Sequence, residues 1–383
     1  MCIFSPPAFC YNVFMSLSVG IVGLPNVGKS TLFNALLKRQ AAYVANYPFA
    51  TIEPNVGIVD MPDPRLELLC QYVRNDNPRT DKQIPEKVVP SAVKFFDIAG
   101  LVKGASKGEG LGNEFLGHIR DVSAIAHVVR DFPDENVARA GSVDPKSDSE
   151  VVNMELILSD LQILDKFMSR LEKDAKTAKT KEMARKLEVA KKVKGELEKG
   201  ALALDIGLDD EEKGLIKEFN LITLKPTIYV LNVCEDELKQ KLAQSVVIKG
   251  SEAIAICAKV EADLADFDEK EKKDYLLALG VTETGLDKLI RKCYELLGLE
   301  CYLTMGPKEV HSWTIKKGSK APQAAGEIHT DFERGFISAE VINFETLKPL
   351  ESLKKAREKG LVRLEGKNYT VRDGDIVEFN FSV

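Results

Sequence analysis

The sequence predicts an α/β protein: a doubly wound parallel-sheet domain, interrupted by a helical hairpin and followed by a small α+β domain. Three observations predict it. Short apolar runs alternate with helical stretches over most of the chain, a glycine-rich loop joins the first run to a helix, and one long internal segment switches to helical apolar spacing.

The first run, Val19-Gly20-Ile21-Val22, feeds the glycine loop, and Lys29 to Lys38 then reads as a helix. Val93 to Asp97, Ile125 to Val129, Thr227 to Val233 and Ala253 to Cys257 are apolar on consecutive positions, as strands covered on both faces require. These elements assign residues 15–150 and 220–300 to one doubly wound α/β domain. Between them, residues 151–219 read as a helical hairpin. Met154, Leu158, Leu161, Leu164, Met168 and Leu171 make one apolar stripe, and Met183, Leu187, Ala190, Val193 and Leu197 repeat it after the polar stretch Lys176 to Lys181. Basic residues outnumber acidic ones from Arg170 to Lys199. Beyond Leu299, the runs Val310 to Ile315, Val341 to Phe344, Asn368 to Val371 and Ile376 to Phe381 read as strands around a helix near Leu350 to Lys359, so residues 301–383 form a domain of their own.

Composition narrows the function classes. At 383 residues, with 44% hydrophobic and 29% charged residues, the chain is that of an ordinary globular protein of two or three domains. A net charge of −6 argues against bulk electrostatic binding to nucleic acid, and no DNA partner is expected, while room remains for a local basic patch. The seven cysteines are scattered, without a CxxC pair or a histidine at ligand spacing, which predicts neither disulfide framework nor zinc and points to a reducing cytoplasm. No apolar run is long enough to span a bilayer, so no membrane partner is expected. Residues 1–14 lack the basic start of a signal peptide and lie before Met15, which is the expected start; they are left outside the fold.

Gly23-Leu24-Pro25-Asn26-Val27-Gly28-Lys29-Ser30 fits G-x-x-x-x-G-K-[ST] in its required place between strand and helix. Its glycines let backbone N–H groups wrap phosphates, Lys29 reaches the β/γ oxygens, and the Ser30 hydroxyl binds Mg²⁺. Asp97-Ile98-Ala99-Gly100 ends a strand, so Asp97 can hold an Mg²⁺-bound water and Gly100 can meet the γ-phosphate. Thr51 is the candidate switch ligand to Mg²⁺. Either element alone is weak; in this order behind the glycine loop they identify a nucleoside triphosphatase.

Guanine readers carry N-K-x-D, whose aspartate accepts from guanine N1–H and the 2-amino group. This chain has Asn232-Val233-Cys234-Glu235. Adenine lacks the 2-amino donor, so a displaced carboxylate, with Asn232 and nearby backbone reading the 6-amino group, would admit ATP. A degenerate guanine site of low selectivity is the other reading. Leu101 stands where signalling GTPases place a water-orienting glutamine, so intrinsic hydrolysis should be slow. Asn26 is a candidate ligand for a monovalent cation such as K⁺, and equally a residue that stabilises the loop.

Several long motifs together resemble the YchF/Obg-like ATPase family. They are the loop Gly23 to Thr31, Tyr47-Pro48-Phe49-Ala50-Thr51-Ile52-Glu53-Pro54-Asn55, Met61-Pro62-Asp63-Pro64-Arg65-Leu66, the stretch Asp97 to Asn113, Asn232 to Glu235, and Ala321 to Phe332. The resemblance covers Met15 to Val383. It implies a G domain, an inserted α-helical coiled-coil hairpin and a C-terminal TGS domain of β-grasp form. It also implies ATP preferred over GTP, Mg²⁺ dependence, binding to the ribosome and its rRNA, and a regulatory role in translation or stress. By position, Asn26, Val27, Gly28, Lys29, Ser30, Thr31 and Val233 would contact ATP, and Ser30 and Thr51 would bind Mg²⁺. One departure stands out: the loop where many members carry a catalytic histidine reads Val137-Ala138-Arg139-Ala140-Gly141 here.

The four histidines have no acid partner at a telling spacing. His127 reads as a core residue, and His118 is the one to test for hydrolysis. Trp313 reads as core, and the basic hairpin as either a solvated helix pair or an RNA contact. Two function classes follow: an ATPase gated by a large partner, or a nucleotide-sensing binding module that hydrolyses little.

Overall fold

Buried, β-branched runs make the first sheet. In a computed structural model, which describes residues 18–46, 55–78, 84–98, 111–133, 144–178, 180–242, 246–248 and 251–382, seven strands pair: β1 (Ser18–Val22), β2 (Val56–Asp60), β4 (Ala92–Asp97), β5 (Ala124–Asp131), β6 (Thr227–Val233), β7 (Val246–Ile248) and β8 (Ser251–Ile256). Their spatial order is β2-β4-β1-β5-β6-β8-β7. The five central strands are parallel, and β1 is buried at every position. The edge strands β2 and β7 run antiparallel to their neighbours. This order places the C-terminal ends of β1, β4, β5, β6 and β8 along one rim, where open α/β sheets bind ligands.

Helices α1 (Lys29–Asn46), α3 (Leu111–Asp121), α8 (Ala258–Leu264), α9 (Glu269–Leu279) and α10 (Gly285–Leu296) follow or cover these strands, with α7 (Glu235–Leu242) continuing directly from β6. Leu32, Leu36, Ile119, Leu286, Leu289 and Ile290 pack on Val19, Ile21, Phe95, Ile125 and Val230 to close the main core.

The hairpin consists of α4 (Pro145–Ala178) and α5 (Lys181–Glu198), with the short α6 (Asp210–Ile216) against it. Thr180 caps α5 by accepting from the Met183 N–H at 3.3 Å. Its seam differs from the expected one at the start. Met154 is 48% exposed, while Ile157, Leu164 and Leu171 face Val189, Ala190, Val193 and Leu197. The reason is that the first turns of α4 still lie on the sheet domain, where Val152 and Leu156 join its core. At the hairpin's root Asp160 accepts from Ile222 N, Thr223 N and Thr223 Oγ1 and pairs with Arg120 at 3.0 Å.

The second sheet has the order β12-β11-β13-β9-β10-β3. Its strands are β9 (Leu299–Met305), β10 (Glu309–Lys316), β11 (Phe336–Asn343), β12 (Arg363–Glu365), β13 (Asp375–Phe381) and, from far earlier in the chain, β3 (Lys87–Val89). Around it lie α2 (Arg65–Asp76), α11 (Ala321–Ile328), α12 (Thr330–Arg334), α13 (Phe344–Leu347) and α14 (Leu353–Glu358). Asn368 to Val371 does not form the expected strand; only an isolated bridge from Thr370 to Lys320 occurs there. The chain turns instead, with Tyr369 N–H bonded to Gly366 O and the Tyr369 hydroxyl to Asp375.

Helix α2 and strand β3 belong to this second layer although their place in the sequence assigns them to the first domain. Leu66, Leu69, Tyr72 and Val73 of α2 share a core with Leu303, Val310, Ile342, Phe344 and Ile376. β3 pairs in parallel with β10, Arg65 spans Asp63 and Asp373 at 2.8 and 2.7 Å, and Asp76 accepts from the Ser352 hydroxyl and the Leu353 N–H.

Candidate nucleotide site

The glycine loop is held by steric and hydrogen-bond constraints that its sequence meets residue by residue. A side chain at Gly23 would place a Cβ 2.4 Å from the Val128 carbonyl oxygen, so the loop can leave β1 against β5 only as glycine. Asn26 and Gly28 both adopt left-handed backbone, at φ 62° and 94°. The loop then enters α1, whose first residue is Lys29 and whose second is the exposed Ser30. Thr31, next in line, is exposed too.

Lys29 is only 6% exposed, and in this state its Nζ donates to the Leu24 carbonyl at 2.7 Å, folding back over the loop's own hollow. Burial lowers its pKa to about 8, against which the nearby Asp97 carboxylate pulls it up. Asp97 ends β4 on the same rim. Burial pushes its pKa up, while the Lys29 charge and a hydrogen bond from Ser30 draw it down. Its Oδ1 is buried with no hydrogen-bond partner among the described residues. A buried, unmatched carboxylate oxygen beside a serine hydroxyl is costly in the free protein and suits a hard divalent cation that brings its own water shell. Ser30 and Asp97 therefore fit Mg²⁺. Thr51, Gly100, Leu101 and the 137–141 loop lie outside the described residues.

Where β6 ends, Asn232 is 6% exposed and employs both ends of its amide within the protein. Nδ2 donates to the Val27 carbonyl at 2.9 Å, and Oδ1 accepts from the Ala258 N–H at 3.0 Å. Asn232 thus ties the phosphate loop to the start of α8, a role different from reading a 6-amino group. Val233 is 2% exposed and belongs to the core around Val129, Leu231 and Cys257, so its side chain does not line the site. Period-two alternation explains this: with Asn232 turned to the loop, its neighbour must face away. Glu235 opens α7, and Tyr275 of α9 donates its phenolic hydrogen to Glu235 Oε1 at 2.5 Å. Burial, together with this bond, raises the Tyr275 pKa to about 12. Sequence reasoning missed Tyr275, because nothing in its surroundings marks it as a partner of Glu235.

The histidines stand apart from this rim chemistry in different ways. His127 is buried in β5 against Tyr229, with ring centroids 5.2 Å apart. His118 is exposed on α3. His311 stacks on Trp313 at 3.7 Å, and His329 caps α12 by accepting from the Asp331 N–H.

Comparison with known proteins agrees with this geometry. Residues 18–162 match a family model described as 50S ribosome-binding GTPase, and residues 299–382 match the YchF-GTPase_C model, described as a protein of unknown function. The chain is 48% identical over 378 residues to the "Ribosome-binding ATPase YchF" of Bacillus subtilis, covering 96% of this chain and 100% of the relative. The protein of the same name from Haemophilus influenzae is 46% identical over 375 residues, with the same coverage. The solved structure of the Schizosaccharomyces pombe YchF GTPase superposes with a TM-score of 0.82 at 36% identity, covering 95% of this chain and 98% of that one.

Proposed function

The chain belongs to the YchF family, and from that premise we propose that it is a Mg²⁺-dependent ATPase that binds the ribosome and regulates translation, accepting GTP less well. The observation that carries the reading is the grouping of Lys29, Ser30 and the buried, unmatched oxygen of Asp97 at one end of the sheet. When triphosphate enters, Lys29 exchanges the Leu24 carbonyl for β/γ oxygens, and the loop's N–H groups take the remaining charge. Ser30 and Asp97 would hold Mg²⁺, with Thr51 assigned as a further ligand by its place in the sequence, and the ion would supply charge neutralisation. Asn26, exposed at the loop's turn, is a candidate ligand for a monovalent cation such as K⁺, the other reading being that it stabilises the loop.

The ATP-preferring reading rests on departure from the guanine-reading pattern: Val233, with its side chain buried in the core, supplies no lysine to the base, and Glu235 stands in place of the aspartate. With Leu101 in place of a water-orienting glutamine, turnover by the isolated protein lies below about one per second. The ribosome is the partner that would raise it, with rRNA met by the hairpin and the C-terminal domain, and such a partner places the protein in the cytosol. Among the described residues no helix is long and apolar enough to cross a membrane.

The test is ATP binding and hydrolysis by wild type, Lys29→Ala and Ser30→Ala, with and without ribosomes. Lys29→Ala should abolish both activities and Ser30→Ala should shift the Mg²⁺ requirement upward. Full activity in Lys29→Ala would overturn the site. Binding without hydrolysis even on ribosomes would favour a nucleotide-sensing module, the reading that Leu101 supports.

A further inference from the structure

Glu235 occupies the position from which a guanine reader presents its carboxylate, yet that carboxylate is already engaged. Tyr275 approaches from α9 and donates to Oε1 at 2.5 Å. Phe267 packs edge-on against the Tyr275 ring, with centroids 6.0 Å apart and planes at 86°, which fixes the direction of the phenol. Glu235 also lies close enough to Cys257, the residue before α8, to bear on its thiol after burial has acted. Glu235, Tyr275 and the start of α8 therefore meet at one end of the sheet, next to the Asn232 tie.

We propose that Tyr275 sets the nucleobase choice by pinning the Glu235 carboxylate to α9 through one of its oxygens. The inference rests on the ATP-preferring reading above and gives it a residue. Guanine offers two parallel donors, N1–H and the 2-amino group, and its recognition by a carboxylate needs both oxygens. Oε1 keeps a second lone pair, so the phenol does not block it outright; the bond instead pins the carboxylate to α9, and guanine would have to turn Glu235 off Tyr275 to bring both oxygens into the plane of its two donors. Adenine offers one donor, its 6-amino group, beside the bare acceptor N1. A single carboxylate oxygen, in the orientation that Tyr275 holds, suffices for the amino group. Tyr275 acts through Glu235 and is a positioning residue.

The experiment measures the affinities of non-hydrolysable ATP and GTP analogues by displacement of a fluorescent nucleotide, for wild type and Tyr275→Phe. Phenylalanine keeps the ring against Phe267 and removes only the hydroxyl. We expect the ATP-over-GTP ratio to fall about tenfold, mainly through tighter GTP binding. In a Glu235→Ala background the same Tyr275→Phe change should leave the ratio untouched, because no carboxylate remains to be freed. A wild type that prefers ATP with an unaltered ratio in Tyr275→Phe overturns the role of Tyr275 alone. A wild type that prefers GTP overturns the ATP reading as well. Loss of thermal stability in Tyr275→Phe with an unaltered ratio would make the contact a latch between α7 and α9 only, and so also overturns the proposal.

Discussion

Gly28 and Asn232 touch: a Cβ added at Gly28 would lie 2.1 Å from Asn232 Nδ2, so the turn into α1 is built directly against the end of β6. Because Asn232 bonds the Val27 carbonyl and the Ala258 N–H, it sets the shape of the phosphate loop whatever base is bound.

Asn232→Ala should therefore weaken ATP and GTP alike. Two buried backbone groups lose their partner at about 1–3 kcal/mol, or roughly ten- to a hundredfold in affinity. Calorimetric titration of both nucleotides checks it. A loss confined to ATP would mean that Asn232 reads the adenine edge, as the sequence suggests.

Lys29 makes nucleotide binding depend on pH. Its pKa of about 8 in the folded protein lies below the ordinary 10.5. Between those values the unfolded chain keeps a proton that the folded chain has lost, so this group makes the free protein more stable as pH rises through the window. Triphosphate demands the ammonium form. Binding above pH 8 takes up a proton, and affinity falls by up to about tenfold per pH unit. Calorimetry at one such pH, in two buffers of different ionisation heat, should reveal the uptake; identical heats would count against a neutral Lys29.

Asp160 anchors the hairpin with its carboxylate fully buried among Arg120, Ile222 N and Thr223. Asp160→Ala leaves the Arg120 charge and two backbone donors without their acceptor, costing about 3–5 kcal/mol. Urea unfolding should show it. A cost near zero would mean that water replaces the carboxylate and the hairpin root is open.

The hairpin is less free to bind RNA than its count of basic residues suggests. Lys186 pairs with Glu218, Lys194 with Asp165, Lys191 with Glu172, and Arg185 and Lys192 with Glu212. The tip lysines Lys176, Lys179 and Lys181 remain the candidates, with the side chains of the first two outside the described ones. Reversing all three to Glu should reduce co-sedimentation with ribosomes at low salt, the gap closing as salt rises. Equal pelleting at every salt concentration would assign the contact to another surface.

The phosphate loop was legible because its chemistry dictates spacing: Gly23, Gly28, Lys29 and Ser30 must be near neighbours, and the strand and helix on either side are periodic. Asp97 was legible because strand ends bring it to the rim. What escaped was long-range. Tyr275 meets Glu235 across a helix packing that no local pattern encodes. The burial of Val233 was within reach, since strand alternation sets it opposite Asn232, but position in a motif drew it toward the nucleotide. Met154 continues the hairpin's apolar stripe in sequence, whereas the seam begins one turn later because α4 starts on the sheet domain.

The excursion of α2 and β3 into the C-terminal layer bears on how this architecture could have been assembled or taken apart. The segment leaves at the end of β2 and returns as β4, the strand that ends in Asp97. Cutting the chain at Leu299 would strip cover from Leu66, Leu69, Tyr72 and Val73 and take from β3 its neighbour β10. What remained would carry an exposed apolar stripe and a raw strand, both prone to aggregate. The C-terminal layer is therefore no detachable cassette. Swapping it between relatives requires exchanging residues 61–91 along with it, and a graft that ignores them should misfold before any question of nucleotide arises.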